Sequence, residues 1–366
     1  MRPPRRPRRA RRVGLAAALT VAPVALAYRF ALAYRARAGI PRPRPPTVTP
    51  TDLGLDFDDL LVDAPEARLR AWFIPARERA PGPGVLLIHG WESGRDRTLP
   101  LAKVLHDVGF HCLTIDVRGM GANPPERLPV SAGEFGLDAL AGFGALIDRP
   151  EVTVGAIHGH SMGGVGALLA AAADPRVAGV VAVSTPADPY RLTRQTFRLA
   201  RLPFPDPVAY PLAWLTTRVF VRPRGHVIRE ISAAGALARF TGPVLLAHGD
   251  ADAVIPISHL RRLIRARRRT RLPLETLVIG GGHHSWLYEF PSYRRAVAAF
   301  LAAALGGPVA PERAAEIAAA VKATRLPEGE AGFSAMEDEP GGVRTFARAV
   351  AVGGPRHPVA GAAGKE

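Results

Sequence analysis

The 366-residue sequence predicts an α/β domain built on a mainly parallel sheet flanked by helices, and three observations lead there. Apolar runs of strand length alternate with helical patterns at regular spacing, the mark of parallel strands joined by covering helices. One such run ends in Gly159-His160-Ser161-Met162-Gly163 and passes at once into Gly164-Val165-Gly166-Ala167-Leu168, so strand, tight turn and helix follow one another with Ser161 in the turn. Two later strand ends carry acids and histidines, at His248-Gly249-Asp250-Ala251-Asp252 and at Gly280-Gly281-Gly282-His283-His284.

The elements follow in order. Two β-type runs, 57–62 and 68–73, flank Asp63-Ala64-Pro65-Glu66 and predict an opening hairpin. Val85-Leu86-Leu87-Ile88 is a continuous apolar run, typical of a strand buried on both faces. A helix over 99–108, a strand over 111–117, a Gly/Pro loop and a helix over 134–147 precede the Ser161 strand. Residues 177–183 give the next strand. Residues 186–240 then break the alternation with helical stretches broken by Pro203, Pro205, Pro207, Pro211 and Pro223 and bearing Phe197, Phe204, Tyr210, Trp214 and Phe220. An insertion of that kind reads as a cap over the sheet ends. Alternation resumes with a strand at 244–248, a helix through Arg268, a strand at 274–279 and a helix over 293–305. Beyond residue 306 come one alanine-rich helix, 311–324, and a Gly/Pro-rich tail expected to be poorly ordered.

The formal charge of +16 suggests a nucleic-acid partner, yet residues 1–44 hold twelve arginines and no acid, leaving +4 for the rest. Arg261, Arg262, Arg265, Arg267, Arg268, Arg269 and Arg271 form the one further cluster, read as a solvated helix face, and no nucleic-acid motif accompanies it. The single Cys112 excludes an internal disulfide. Residues 1–12 carry seven arginines, and 13–28 are free of charge. Extended to residue 34, the apolar stretch encloses only Arg29 and predicts a membrane anchor outside the folded domain, joined to it by a proline-rich linker at 39–50. The arginine bias puts the N-terminus in the cytoplasm and the domain on the far side. A cleaved signal peptide is the competing reading, because residues 25–27 and 31–33 each offer an A-x-A site.

In G-x-S-x-G the turn holds its serine in a strained conformation at a helix N-terminus, where N–H groups and the helix dipole favour negative charge. Serine hydrolysis also needs a histidine base, an orienting carboxylate and N–H donors. Here serine, acid and histidine come in that chain order, each after a strand. Over residues 55–305 the sequence resembles the α/β-hydrolase superfamily. The resemblance rests on HGW at 89–91, DVRGMGAN at 116–123, GHSMGG at 159–164, HGDADAVIP at 248–256 and GGGHHSW at 280–286. It implies Ser161 as nucleophile, Asp252 as the acid and His284 as the base, with His283 the alternative, and the backbone N–H groups of Trp91 and Met162 as oxyanion hole.

Other residues read more plainly. His111 and Asp116 point to opposite faces of a strand and are structural. His158 and His160 lack the company of further ligands for a metal. His89 shapes the oxyanion loop by hydrogen bonding, and Asp188 is an alternative acid. The expected function is hydrolysis of carboxylic esters, or of thioesters or small amides, with no metal or organic cofactor implied. The expected partners are a small ester substrate and membrane lipid, with no nucleic acid. Acyl transfer through the same acyl-enzyme is the second reading. A membrane-tethered binding protein is the third, and a complete triad argues against it.

Overall fold

The computed structural model describes residues 8–78, 80–322, 324 and 326. Among them are the strands β1 (Asp58–Ala64), β2 (Ala67–Ile74), β3 (Gly82–Ile88), β4 (His111–Ile115), β5 (Val152–His160), β6 (Val177–Val183), β7 (Val244–Gly249) and β8 (Glu275–Ile279). They form one sheet in the order β1-β2-β4-β3-β5-β6-β7-β8. β1 and β2 are the expected hairpin, and β2 pairs antiparallel with β4 as well. All later pairings are parallel. The C-terminal ends of β5, β7 and β8 therefore share one edge of the sheet, where open α/β sheets gather their reactive groups.

The helices are α1 (Arg8–Ala38), α2 (Leu99–Val108), α3 (Ala132–Ile147), α4 (Met162–Ala173), α5 (Pro189–Leu199), α6 (Asp206–Val221), α7 (Ala233–Arg239), α8 (Ser258–Arg268), α9 (Pro291–Leu305) and α10 (Pro311–Ala320). Two layers cover the sheet. Alternation along β3 sends Leu86 and Ile88 to one side, with Phe135, Phe143 and Leu168 of α3 and α4. Val85 and Leu87 go to the other, with Leu105 of α2 and Val297 and Leu301 of α9. Both faces are thus buried, the physical reason that the central strands read as unbroken apolar runs. α3 starts at Ala132, ahead of the expected boundary, because Ser131 and Glu134 form a reciprocal capping box. The insertion between β6 and β7 holds α5, α6 and α7.

No helix among the described residues is long and apolar enough to cross a membrane. Four expectations about the chain in and around the domain are corrected. Residue 34 is not outside the domain: Ala31 and Tyr34 of α1 are buried, and Tyr34 packs with Phe197 of α5 and Leu212 and Ala213 of α6. The physical reason is a helical stripe in which Phe30, Tyr34 and Ala38 recur every four residues and face the insertion rather than lipid. The stretch at 39–50 is likewise no free linker. The Gly39 carbonyl accepts from Val130 N–H at 2.8 Å, and Val48 and Pro50 are buried. In the 261–271 cluster Arg267 is fully buried and donates to the carbonyls of Leu237 at 2.9 Å and Pro273 at 3.1 Å, as well as to those of Phe240 and Gly242. Finally, α10 ends at Ala320, short of residue 324. The tail expected to be poorly ordered lies outside the described residues, as do residues 1–7 of the arginine-rich start.

Candidate active site

Ser161 leaves β5 with φ 54° and ψ −118° and is the residue before the first turn of α4. A serine held at positive φ is strained, and the neighbours over-determine it. Its N–H donates to the Val183 carbonyl at 2.8 Å, while glycine alone fits beside it. A Cβ on Gly163 would stand 2.5 Å from the carbonyl oxygens of Ile88 and His89, and one on Gly159 would meet the Gly163 backbone. The strand and helix thus approach as closely as backbone permits, and the Ser161 side chain is presented at the sheet edge.

Across the turn, a Cβ on Gly90 would lie 3.2 Å from the Ser161 Cβ, so the backbone leading into Trp91 runs directly past the serine. His89 fixes that loop. Its Nε2 accepts from Val117 N–H at 3.0 Å, which leaves the proton on Nδ1 to be donated to the Gly90 carbonyl at 2.7 Å. Burial lowers the His89 pKa to about 4, in keeping with a neutral ring. Trp91, Met162 and Ser161 line one cavity of about 140 Å³.

β7 and β8 deliver the other two side chains. The Asp252 Oδ2 stands 2.9 Å from His284 Nδ1, and its Oδ1 accepts from the N–H groups of Val254 at 2.9 Å and Ile255 at 2.7 Å. Burial alone would raise the Asp252 pKa, but the imidazoles of His284 and His248 and these N–H donors outweigh it and hold the carboxyl below its ordinary range. His284 is 2% exposed, whereas His283, next to it, is exposed. Of the two, His284 is therefore the one brought to Asp252.

Two contacts were not foreseen. His160, beside the serine, donates from Nε2 to the backbone carbonyl of His284 at 2.8 Å, and the two rings stand 4.8 Å apart. Burial and the neighbouring His284 lower the His160 pKa to about 3. His248 donates to the Ile255 carbonyl at 2.7 Å and lies 3.4 Å from Asp252 Oδ2, bracing the loop that carries the acid. Both stand inside the motifs quoted above, which was the available signal. Their partners are distant in the chain, and that is why spacing could not name them.

The remaining candidates have other occupations. Asp188 caps α5 through Arg191 N–H and pairs with Arg262 at 2.8 Å, so its carboxylate is committed to arginines rather than to His284. His111 spans Ala76 N–H and the Ala80 carbonyl, both at 3.0 Å. Asp116 binds Arg95 and Ala122 N–H. His158 is held by the Tyr293 hydroxyl at 2.7 Å. Among the described residues no group of three or more His, Cys, Asp or Glu side chains is placed to hold a metal ion.

The cavity beside Ser161 is walled largely by apolar groups: Val130, Val165, Leu192, Phe220, Ile231 and Val254. Tyr34 and Ala38 of α1 complete the wall. Tyr34 is fixed there by its hydroxyl, 2.7 Å from Thr196 Oγ1 of α5.

Comparison with known proteins agrees with this architecture. An esterase of Pyrococcus furiosus superposes with a TM-score of 0.58 at 18% identity, covering 74% of this chain and 98% of that one. The Butyrivibrio proteoclasticus protein Est1E, solved with ferulic acid bound, superposes with a TM-score of 0.55 at 19% identity, covering 68% and 100%. At such identities the likeness shows the fold. In sequence, the chain is 28% identical over 230 residues to an uncharacterised protein of Mycobacterium tuberculosis, covering 62% of this chain and 72% of that protein. It is also 36% identical over 123 residues to a Penicillium polyketide transferase, covering 32% and 40%. The sequence profile of the alpha/beta hydrolase family matches residues 85–300, more than half of the chain, and the protein belongs to that family.

Proposed function

We propose that the protein is a serine hydrolase of carboxylic esters. The observation that supports the reading is a strained serine at the end of β5, next to His160, whose ring stands 4.8 Å from the buried His284 imidazole, which in turn meets Asp252 through Nδ1 at 2.9 Å. An acyl chain enters the apolar cavity and brings its carbonyl carbon to Ser161 Oγ. His284 Nε2 takes the hydroxyl proton as the Oγ–C bond forms, and Asp252 holds the ring in the Nδ1–H tautomer and stabilises its positive charge. The carbonyl oxygen, now negative, is met by the N–H groups of Met162 and Trp91. Collapse breaks the ester C–O bond, and the alcohol leaves with the proton from His284. Water then repeats the sequence on the acyl-enzyme, with His284 as base, and frees the acid.

The test is a panel of p-nitrophenyl esters from acetate to laurate, read on the wild type and on Ser161→Ala. Turnover is expected, rising with chain length as the apolar cavity fills, and the variant should be inactive yet folded. A variant with undiminished turnover would remove Ser161 from the mechanism. A second reading, acyl transfer to an alcohol or amine, is favoured by the similarity to the Penicillium transferase. Product analysis with an added alcohol decides it: a dominant ester product at millimolar acceptor would make transfer the reaction.

A further inference from the structure

Beyond the point where Phe30 grips the insertion, α1 projects from the domain. Leu19, Val21, Val24 and Leu26 are 63–67% exposed and Tyr28 is 42% exposed. Residues 13–28 contain no charge at all, and the exposed turns from Leu19 to Tyr28, about 15 Å of helix, are apolar on nearly every side. A helix apolar on all sides is stable when buried, not when bathed in water. Its base is equally particular. Phe30 packs 5.6 Å from Phe204, just ahead of α6, and Tyr34 packs 6.5 Å from Phe220 near the end of α6. The two helices therefore run in the same direction, and α1 leaves the domain at the N-terminal end of α6. There α6 exposes Val208, Tyr210 and Trp214, with guanidinium groups over both rings: Arg194 at 3.6 Å from Tyr210 and Arg218 at 3.3 Å from Trp214. Amphipathic aromatic rings flanked by cations suit a bilayer interface. The twelve arginines and absent acids of residues 1–44 complement a negatively charged surface. The same helix then walls the cavity beside Ser161 with Tyr34 and Ala38.

We propose that residues 13–28 of α1, with Val208, Tyr210 and Trp214 of α6, seat the domain on an anionic lipid bilayer, and that the ester reaching Ser161 is a lipid acyl ester drawn from that bilayer. The second half rests on the serine-esterase reading; the first does not. No described helix is long and apolar enough to cross; apolar contact with the acyl chains, and arginines that reach the headgroups, hold this one at the membrane. Tyr34 and Ala38, one to three turns further along the same rod, bring the acyl cavity to that surface.

Cosedimentation of the full chain with vesicles tests the docking. Binding to vesicles of three parts phosphatidylcholine to one part phosphatidylglycerol is expected to be at least tenfold tighter than to pure phosphatidylcholine, and to weaken in 0.5 M salt. Val21→Asp with Val24→Asp, and separately Trp214→Asp, should each cut that binding tenfold or more. Hydrolysis of dissolved p-nitrophenyl butyrate should stay unchanged in both variants, which also shows that they fold. Ser161→Ala should bind vesicles as the wild type does. A long-chain ester in the anionic vesicles should be hydrolysed at least tenfold faster by the wild type than by the double-aspartate variant. Equal vesicle binding by wild type and variants would overturn the docking surface, as would a dimer in buffer that the same variants dissociate, which would give the surface to a second copy. Bound protein that hydrolyses butyrate but not the vesicle ester would overturn the substrate assignment. Bound protein that hydrolyses no ester would sink the serine-esterase reading and leave the docking intact.

Discussion

At the scale of single residues, the site depends on how three side chains are held rather than on their presence alone. Asp252 is fixed through Oδ1 by two backbone N–H groups, which leaves Oδ2 to face His284 at 2.9 Å and His248 at 3.4 Å. Asp252→Asn should therefore keep the fold and lose about 10⁴ in turnover, because the amide favours the wrong imidazole tautomer; steady-state kinetics checks this, and a loss below tenfold would move the acid elsewhere. His284→Ala is expected to lose several orders of magnitude in rate, and His283→Ala, at an exposed position, less than threefold. The family resemblance chose residue 284 as the candidate base and kept residue 283 as the alternative. What separates them is burial: residue 284 turns in toward the sheet edge, and residue 283 faces solvent.

At the scale of elements, the strand–turn–helix at Ser161 was legible because its glycines have one physical explanation, close backbone approach. Gly163→Ala forces a methyl group against two carbonyl oxygens and is expected to yield a destabilised, inactive protein, seen as a lowered melting temperature. The C-terminal turns of α1 were placed outside the domain for an equally physical reason. A stripe of Phe30, Tyr34 and Ala38 suits lipid and a protein groove alike, and only the long-range contacts with α5 and α6 decide between them. α8 shows the same limit. Seven nearby arginines read as a solvated face, yet Arg267 ties four carbonyls of the segments around it. Removing it strands buried acceptors, so Arg267→Ala should cost about 3 kcal/mol or more in denaturant unfolding, while exposed Arg268→Ala stays within about 0.5 kcal/mol. Similar losses from both would return Arg267 to the surface.

At the scale of the molecule, the parallel order of β5, β6, β7 and β8 brings residues 161, 252 and 284 to one edge, although 123 positions separate the first from the last. Strand alternation made that much readable in advance. The cavity wall was not, since it is assembled from α1, the insertion and loops far apart in sequence. The buried histidines give the whole domain a pH response. Burial lowers the pKa of His89, His158 and His259 to about 4. The unfolded chain, with histidine near 6.5, takes up these protons first, so stability is present above about pH 6.5 and is lost as pH falls toward 4. Urea midpoints should drop steadily between pH 7 and pH 4.5, and a flat profile would contradict neutral burial. The central claim, that Ser161 is the nucleophile of a working triad, is tested most directly by mass spectrometry after reaction with a fluorophosphonate probe. The account predicts a single phosphonylated peptide carrying the adduct on Ser161, formed in the wild type, abolished in Ser161→Ala and slowed by orders of magnitude in His284→Ala; an unmodified Ser161, or labelling undiminished in either variant, would contradict it.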